Sequence, residues 1–172
     1  MKRWIACILI AAAVLSLGGC ANPRPEINDP VNFYYRRAAV SYGSADSVIV
    51  PESREAEGLR DNLTALLNRY IMGPESPELV NAFPKNCRVL RVDVTEDMAQ
   101  VYCNRMLGYL ENMDLTVACA CLAKTVMELT GSTTVRIEAY DATLGGAEFI
   151  IMGKDNLLFE DTGAQQGTTP EE

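Results

Sequence analysis

Six cysteines and not one histidine bound the chemistry open to this chain. Without an imidazole there is no Ser/His/Asp or Cys/His nucleophile system, no proton shuttle near neutral pH and no His-containing zinc site. The cysteine with the clearest role is Cys20. It closes Leu17-Gly18-Gly19-Cys20, behind a cationic Met1-Lys2-Arg3 and an apolar run from Trp4 to Leu17. That order is an export signal ending in a lipobox: a branched apolar residue at −3, two small residues a signal peptidase can accommodate, and a thiol that takes a diacylglyceryl thioether. The apolar run is shorter than the roughly 20 residues a membrane-spanning helix needs, so lipid on Cys20 is the expected anchor. Two acyl chains of the palmitate class hold a protein stably where one does not. Cleavage before Cys20 removes Lys2 and Arg3 and takes the net charge from −8 to −10, so lipid rather than headgroup attraction must do the holding. The acidic balance, with a pI near 4.6, excludes nucleic acid as the default partner.

Four more thiols, Cys87, Cys103, Cys119 and Cys121, invite a metal reading, since four thiolates can close a tetrahedral zinc site. Their spacing argues against it: there is no Cys-x-x-Cys knuckle, and residues 119 and 121 diverge by roughly 200° on a helix. Buried cysteines acting as small apolar side chains are the plainer reading. An oxidising compartment permits a disulfide, and Cys103 with Cys119 is the expected pair because both face one sheet–helix core. Cys87 is expected on the opposite face of its hairpin. Carboxylates fall in turns, helix starts and the tail rather than as a pair across a cleft, and Gly145-Gly146 joins two strands instead of cradling a phosphate. No catalytic residue, metal or cofactor is therefore expected. Tyr34, Tyr35 and Tyr42 are candidates for a ligand or glycan platform, against the commoner role of closing a core edge.

The elements that position these residues are legible in part. Ala21 to Pro30 carries three prolines, and residues 20–30 read as a tether after the signal at 1–19; residues 161–172, polar and acidic, read as a disordered tail. The folded unit spans 31–160. Val31 to Tyr35 and Val48 to Val50 read as two strands in a hairpin, closed by Pro51. Ser53 is placed to cap a helix with Glu55 and Glu57 in its first turn and Leu59, Leu63, Leu66, Leu67 and Tyr70 on its core face, stopped by Gly73-Pro74. Leu90, Val92 and Val94 alternate with Arg91 and Asp93, and Ala99, Val101 and Cys103 with Gln100 and Tyr102. A turn at Glu96-Asp97 would set Val94 opposite Ala99, Val92 opposite Val101 and Leu90 opposite Cys103. A second helix follows from about Asp114 to Leu129 with one apolar stripe, stopped by Gly131, and then strands at Val135–Ala139 and Ala147–Met152. This describes an α+β domain, a mainly antiparallel sheet with two helices packed on one face. Its outer face carries Arg91, Tyr102, Arg136 and Tyr140, aromatic rings among charges of both signs, the composition in which interface anchors are found.

The run Asn62-Leu63-Thr64-Ala65-Leu66-Leu67, the Gly73-Pro74-Glu75-Ser76 step, Asn81 to Asn86, the hairpin Val89 to Tyr102 and Val126-Met127-Glu128-Leu129-Thr130-Gly131 together resemble the GerM domain family of sporulation and spore germination. The resemblance covers about residues 31 to 153, room for one such domain. It implies a ring-building-motif-like fold, tethering outside the cytoplasm, and non-enzymatic work through self-association or docking to envelope proteins.

Overall fold

The computed structural model describes residues 27–39 and 47–157. The export signal, Cys20, most of the tether, Tyr42, the Gly43-to-Asp46 turn and the acidic tail lie outside the described residues. The chain is α+β, built on two sheets. Strand β1 (Pro30–Arg37) pairs antiparallel with β2 (Ile49–Glu55) and with the short β3 (Leu79–Val80), in the order β2-β1-β3. Alternation in β1 sends Val31, Phe33 and Tyr35 into the core. Pro51 does not close β2 as expected. It sits within the strand opposite Tyr34, tolerated because β2 is an edge strand whose missing N–H would have faced outward.

Extension of β2 to Glu55 displaces the helix start. Ser53 pairs with Asn32 in the ladder, and the chain turns through Glu57 (φ 50°) and Gly58 (φ 73°). Helix α1 (Leu63–Ile71) is capped instead by Asn62, whose side chain accepts from the Ala65 N–H at 3.0 Å. Leu66, Leu67, Tyr70 and Ile71 form its buried face. Phe33, Tyr35 and Phe83 surround the Tyr70 ring at centroid distances of 5.3, 5.0 and 5.2 Å.

The second sheet runs β4 (Val89–Val94), β5 (Met98–Cys103), β6 (Thr134–Ala139), β7 (Phe149–Gly153), with β5 and β6 parallel and the other pairs antiparallel. The hairpin has the expected pairs Val94 to Ala99 and Val92 to Val101, but a bulge between Val89 and Arg91 sets Val89, not Leu90, opposite Cys103. One extra residue exchanges the faces. Leu90 is half exposed, while Val89 and Cys87 are buried.

Helix α2 (Asn112–Thr130), ended by Gly131 in the left-handed region at φ 76°, packs on β1 of the first sheet and on β5, β6 and β7 of the second. It is therefore buried on two sides, not along the single stripe expected: Leu115, Ala118, Cys119, Leu122 and Val126 are joined by Val117, Ala120, Cys121 and Thr125. Small side chains at 118, 119, 120, 121 and 123 let both layers approach its backbone. Thr125 ties the layers together, its hydroxyl oxygen accepting from the Tyr34 N–H at 3.0 Å.

Candidate interaction surface

The outer face of the four-stranded sheet is assembled by register. One row runs Arg91, Tyr102, Glu138, Phe149; the next runs Asp93, Gln100, Arg136, Ile151. Their neighbours along each strand, Val101, Ile137 and Ala99 among them, are fully buried on the side covered by α2. Tyr140 continues the outward alternation of Arg136 and Glu138 just past β6, held by its N–H to the Cys103 carbonyl at 2.8 Å and 74% exposed. The expected residues Tyr102, Tyr140, Arg91 and Arg136 thus share one face, and no other described element covers it.

The charges on this face are paired with one another. Arg91 Nε pairs with Asp93 at 2.9 Å, Arg136 Nε with Glu138 at 2.7 Å, and Gln100 donates to Glu138 at 3.4 Å. Each guanidinium also lies over a ring, Arg91 at 4.2 Å from the Tyr102 centroid and Arg136 at 3.9 Å from that of Phe149. The face therefore offers a partner little net charge and several pre-positioned planar groups. Phe149 and Ile151, exposed on β7, belong to the same patch and were not singled out in the sequence. Phe149-Ile150-Ile151-Met152 is apolar throughout, so it carries no period-2 signal to say which residues point outward.

Tyr34 and Tyr35 do not share a platform, since they point to opposite sides of β1. Tyr35 is buried, its hydroxyl donating to the carbonyls of Tyr70 at 2.8 Å and Gly73 at 3.2 Å, and burial pushes its pKa up. The Tyr34 hydroxyl is bonded to Glu128, and the ring receives Lys124 at 4.9 Å.

The four thiols are free and buried. Cys103 faces inward, as expected, and both Cys87 and Cys119 act on it there. Against the expectation of opposite faces, the bulge brings residue 87 to the same side as Cys103. The interaction with Cys103 lowers the Cys87 pKa, and the interaction with Cys87, with burial, raises that of Cys103, so Cys87 ionises first. Burial pushes Cys119 and Cys121 up to about 12. Among the described residues, no group of three or more His, Cys, Asp or Glu side chains is placed to hold a metal ion.

Solved structures resemble this fold. The tandem GerMN domains of the sporulation protein GerM from Bacillus subtilis superpose with a TM-score of 0.53 at 16% identity, over 73% of this chain and 47% of that one. This chain thus spans about half the length of that protein. A candidate lipoprotein from Clostridium perfringens gives a TM-score of 0.45 at 17% identity, over 76% of this chain and 93% of that one. No curated protein matches the sequence. The sequence matches the Germane family, described as sporulation and spore germination, over residues 32–144, and with the two-sheet α+β fold built around α2 this places the chain in that family.

Proposed function

We propose that this protein is a non-enzymatic assembly domain of the bacterial envelope, exported, anchored by lipid on Cys20, and working in sporulation or germination through a protein partner or a second copy of itself. The observation that carries the interaction role is the outer face of the β4–β7 sheet. Its charges are neutralised within the face, its rings are pre-positioned by the arginines stacked on them, and Phe149, Ile151 and Tyr140 stand exposed beside them. Family membership supports the sporulation setting. Among the described residues no helix is long and apolar enough to cross a membrane; the anchor reading rests on the lipobox sequence itself.

Two variants test the two halves of the proposal. Cys20→Ser is expected to leave an unprocessed precursor or to release the protein from membrane fractions, and mass spectrometry showing an unlipidated N-terminus other than Cys20 would overturn the anchor. Tyr102→Ala with Tyr140→Ala is expected to leave the chain folded and lipidated but to abolish its cross-linked species in intact cells. Unchanged cross-linking would remove this face as the interface. A ligand- or glycan-binding role for the early tyrosines has no structural observation in its favour.

A further inference from the structure

The two thiols brought together by the bulge have no role in the assembly reading. Cys87 precedes β4 and Cys103 ends β5, and three hydrogen bonds clamp the backbone around them. The Asn104 N–H donates to the Arg88 carbonyl at 2.8 Å, the Arg88 N–H to Asn104 Oδ1 at 3.1 Å, and Asn104 Nδ2 to the Asn86 carbonyl at 2.9 Å. Both side chains lie buried on the inner face beside Val89, and each thiol acts on the other's pKa. Cys87 is 6% exposed and lines an open hollow of about 790 Å³ beside Lys85, Asn86 and Arg88. Cys103 is fully buried.

We propose that Cys87 and Cys103 are a disulfide-forming pair, oxidised in a fixed order by thiol–disulfide exchange with a disulfide-bearing oxidant that enters from the Cys87 side. The Cys87 sulfur bonds to one sulfur of the oxidant's disulfide and releases the other as a thiolate. Cys103 then gives up its proton and attacks the Cys87 sulfur, displacing the second sulfur of the oxidant. Two protein thiols lose two electrons, and one disulfide of the oxidant becomes two thiols. Three features set the order. Of the two, only Cys87 reaches the hollow, Lys85 and Arg88 flank it with positive charge, and its pKa is lowered while that of the fully buried Cys103 is raised, so Cys87 carries the thiolate character. The bond would cross-link the β4–β5 hairpin at its open end, closing a loop that includes the edge strand of the sheet. The proposal rests on the export reading only for where the oxidation happens.

The test uses the full chain purified in detergent, reduced, exposed to oxidised glutathione under native conditions, blocked with a maleimide and digested with trypsin. The expected product joins the peptide Asn86–Arg88 to Val92–Arg105. Failure to form it, or a link from Val92–Arg105 to Met106–Lys124, which carries Cys119 and Cys121, overturns the pair. Cys103→Ala is expected to accumulate a glutathione adduct on Cys87 that the native chain does not retain. Cys87→Ala should leave Cys103 unmodified, and an adduct on Cys103 in that variant would overturn the order. Oxidation is expected to lower the unfolding equilibrium constant by about a hundredfold, the effect of closing a loop of this length. The same peptides from acid-quenched cells separate the two readings. A pair that is linked by glutathione in the tube but reduced in the cell sinks the extracytoplasmic location and leaves the pair standing.

Discussion

Among the described residues, Arg54 is the one guanidinium that the core accepts, its side chain 6% exposed. Nη1 donates to the Gly73 carbonyl at 2.9 Å, Glu52 and Glu75 lie at 3.6 and 3.7 Å, and the group sits 4.8 Å over the Phe33 ring. Glu52 is itself nearly buried and accepts from the N–H groups of Glu75 and Ser76, so one arginine organises the chain that leaves α1. Arg54→Ala strands a buried carboxylate and should cost about 3 kcal/mol in chemical denaturation. Arg54→Lys should recover little of that, because a compact ammonium cannot both stack on Phe33 and reach three oxygens. A second position is set by space alone. A side chain at Gly108 would place its Cβ 2.7 Å from Ala142 Cβ and 2.8 Å from the Thr143 carbonyl oxygen, and the latter is backbone that cannot swing away. Gly108→Ala is expected to destabilise the domain by about 1–3 kcal/mol, as overpacking of a close contact does, with a lowered denaturation midpoint as the readout.

At the scale of elements, the β4–β5 hairpin separates what the sequence carries from what it hides. The period-2 alternation and the Glu96-Asp97 turn identify the hairpin and pair Val92 with Val101 and Val94 with Ala99, all of which the register bears out. The bulge is invisible in the same residues, because Val89 and Leu90 are equally apolar and either can point inward. The cost of that ambiguity was the placement of Cys87. Helix α2 hides its second buried side for a related reason: alanine and cysteine look indifferent in a pattern of large apolar residues, yet they are what two packed layers require. Of the surface patch, Tyr102, Tyr140, Arg91 and Arg136 were legible because they alternate with core residues, whereas Phe149 and Ile151 lie in a run with no alternation. The register can be tested directly. Val101 is fully buried in an interior strand, so Val101→Asp should abolish folding, as a buried unpaired charge does. Val92 is half-buried on the edge strand, where a carboxylate can reach water, and Val92→Asp should leave a folded but weakened domain. Asp93→Val, on the outer face, should be tolerated in circular dichroism melts; equal melts for the three variants would contradict the register.

For the whole molecule, burying the Cys103, Cys119 and Cys121 thiols and two tyrosine hydroxyls ties stability to alkaline pH. Cys119 and Cys121 rise from 9.0 to about 12, and Tyr35 and Tyr70 rise from 10.0, so the folded chain holds protons that the unfolded chain releases. The sign follows: stability from these groups is complete below pH 9 and falls as pH climbs toward 12. Denaturant midpoints should be level from pH 7 to 9 and drop above it, and Cys119→Ala with Cys121→Ala should flatten that drop. The position of α2 governs something else, the order in which the fold can be made. The N-terminal sheet comes off the ribosome first, yet its inner face is completed by a helix whose Thr125 is 91 residues further along than the Tyr34 amide it holds. Both sheets share one core with α2, so a chain ending at Leu110 leaves the inner face of β1 uncovered and should show an unfolded circular dichroism spectrum rather than a stable β1–β3 unit. A chain made or threaded N-terminus first thus stays unfolded until nearly all of it has emerged, and folds only when its last third arrives.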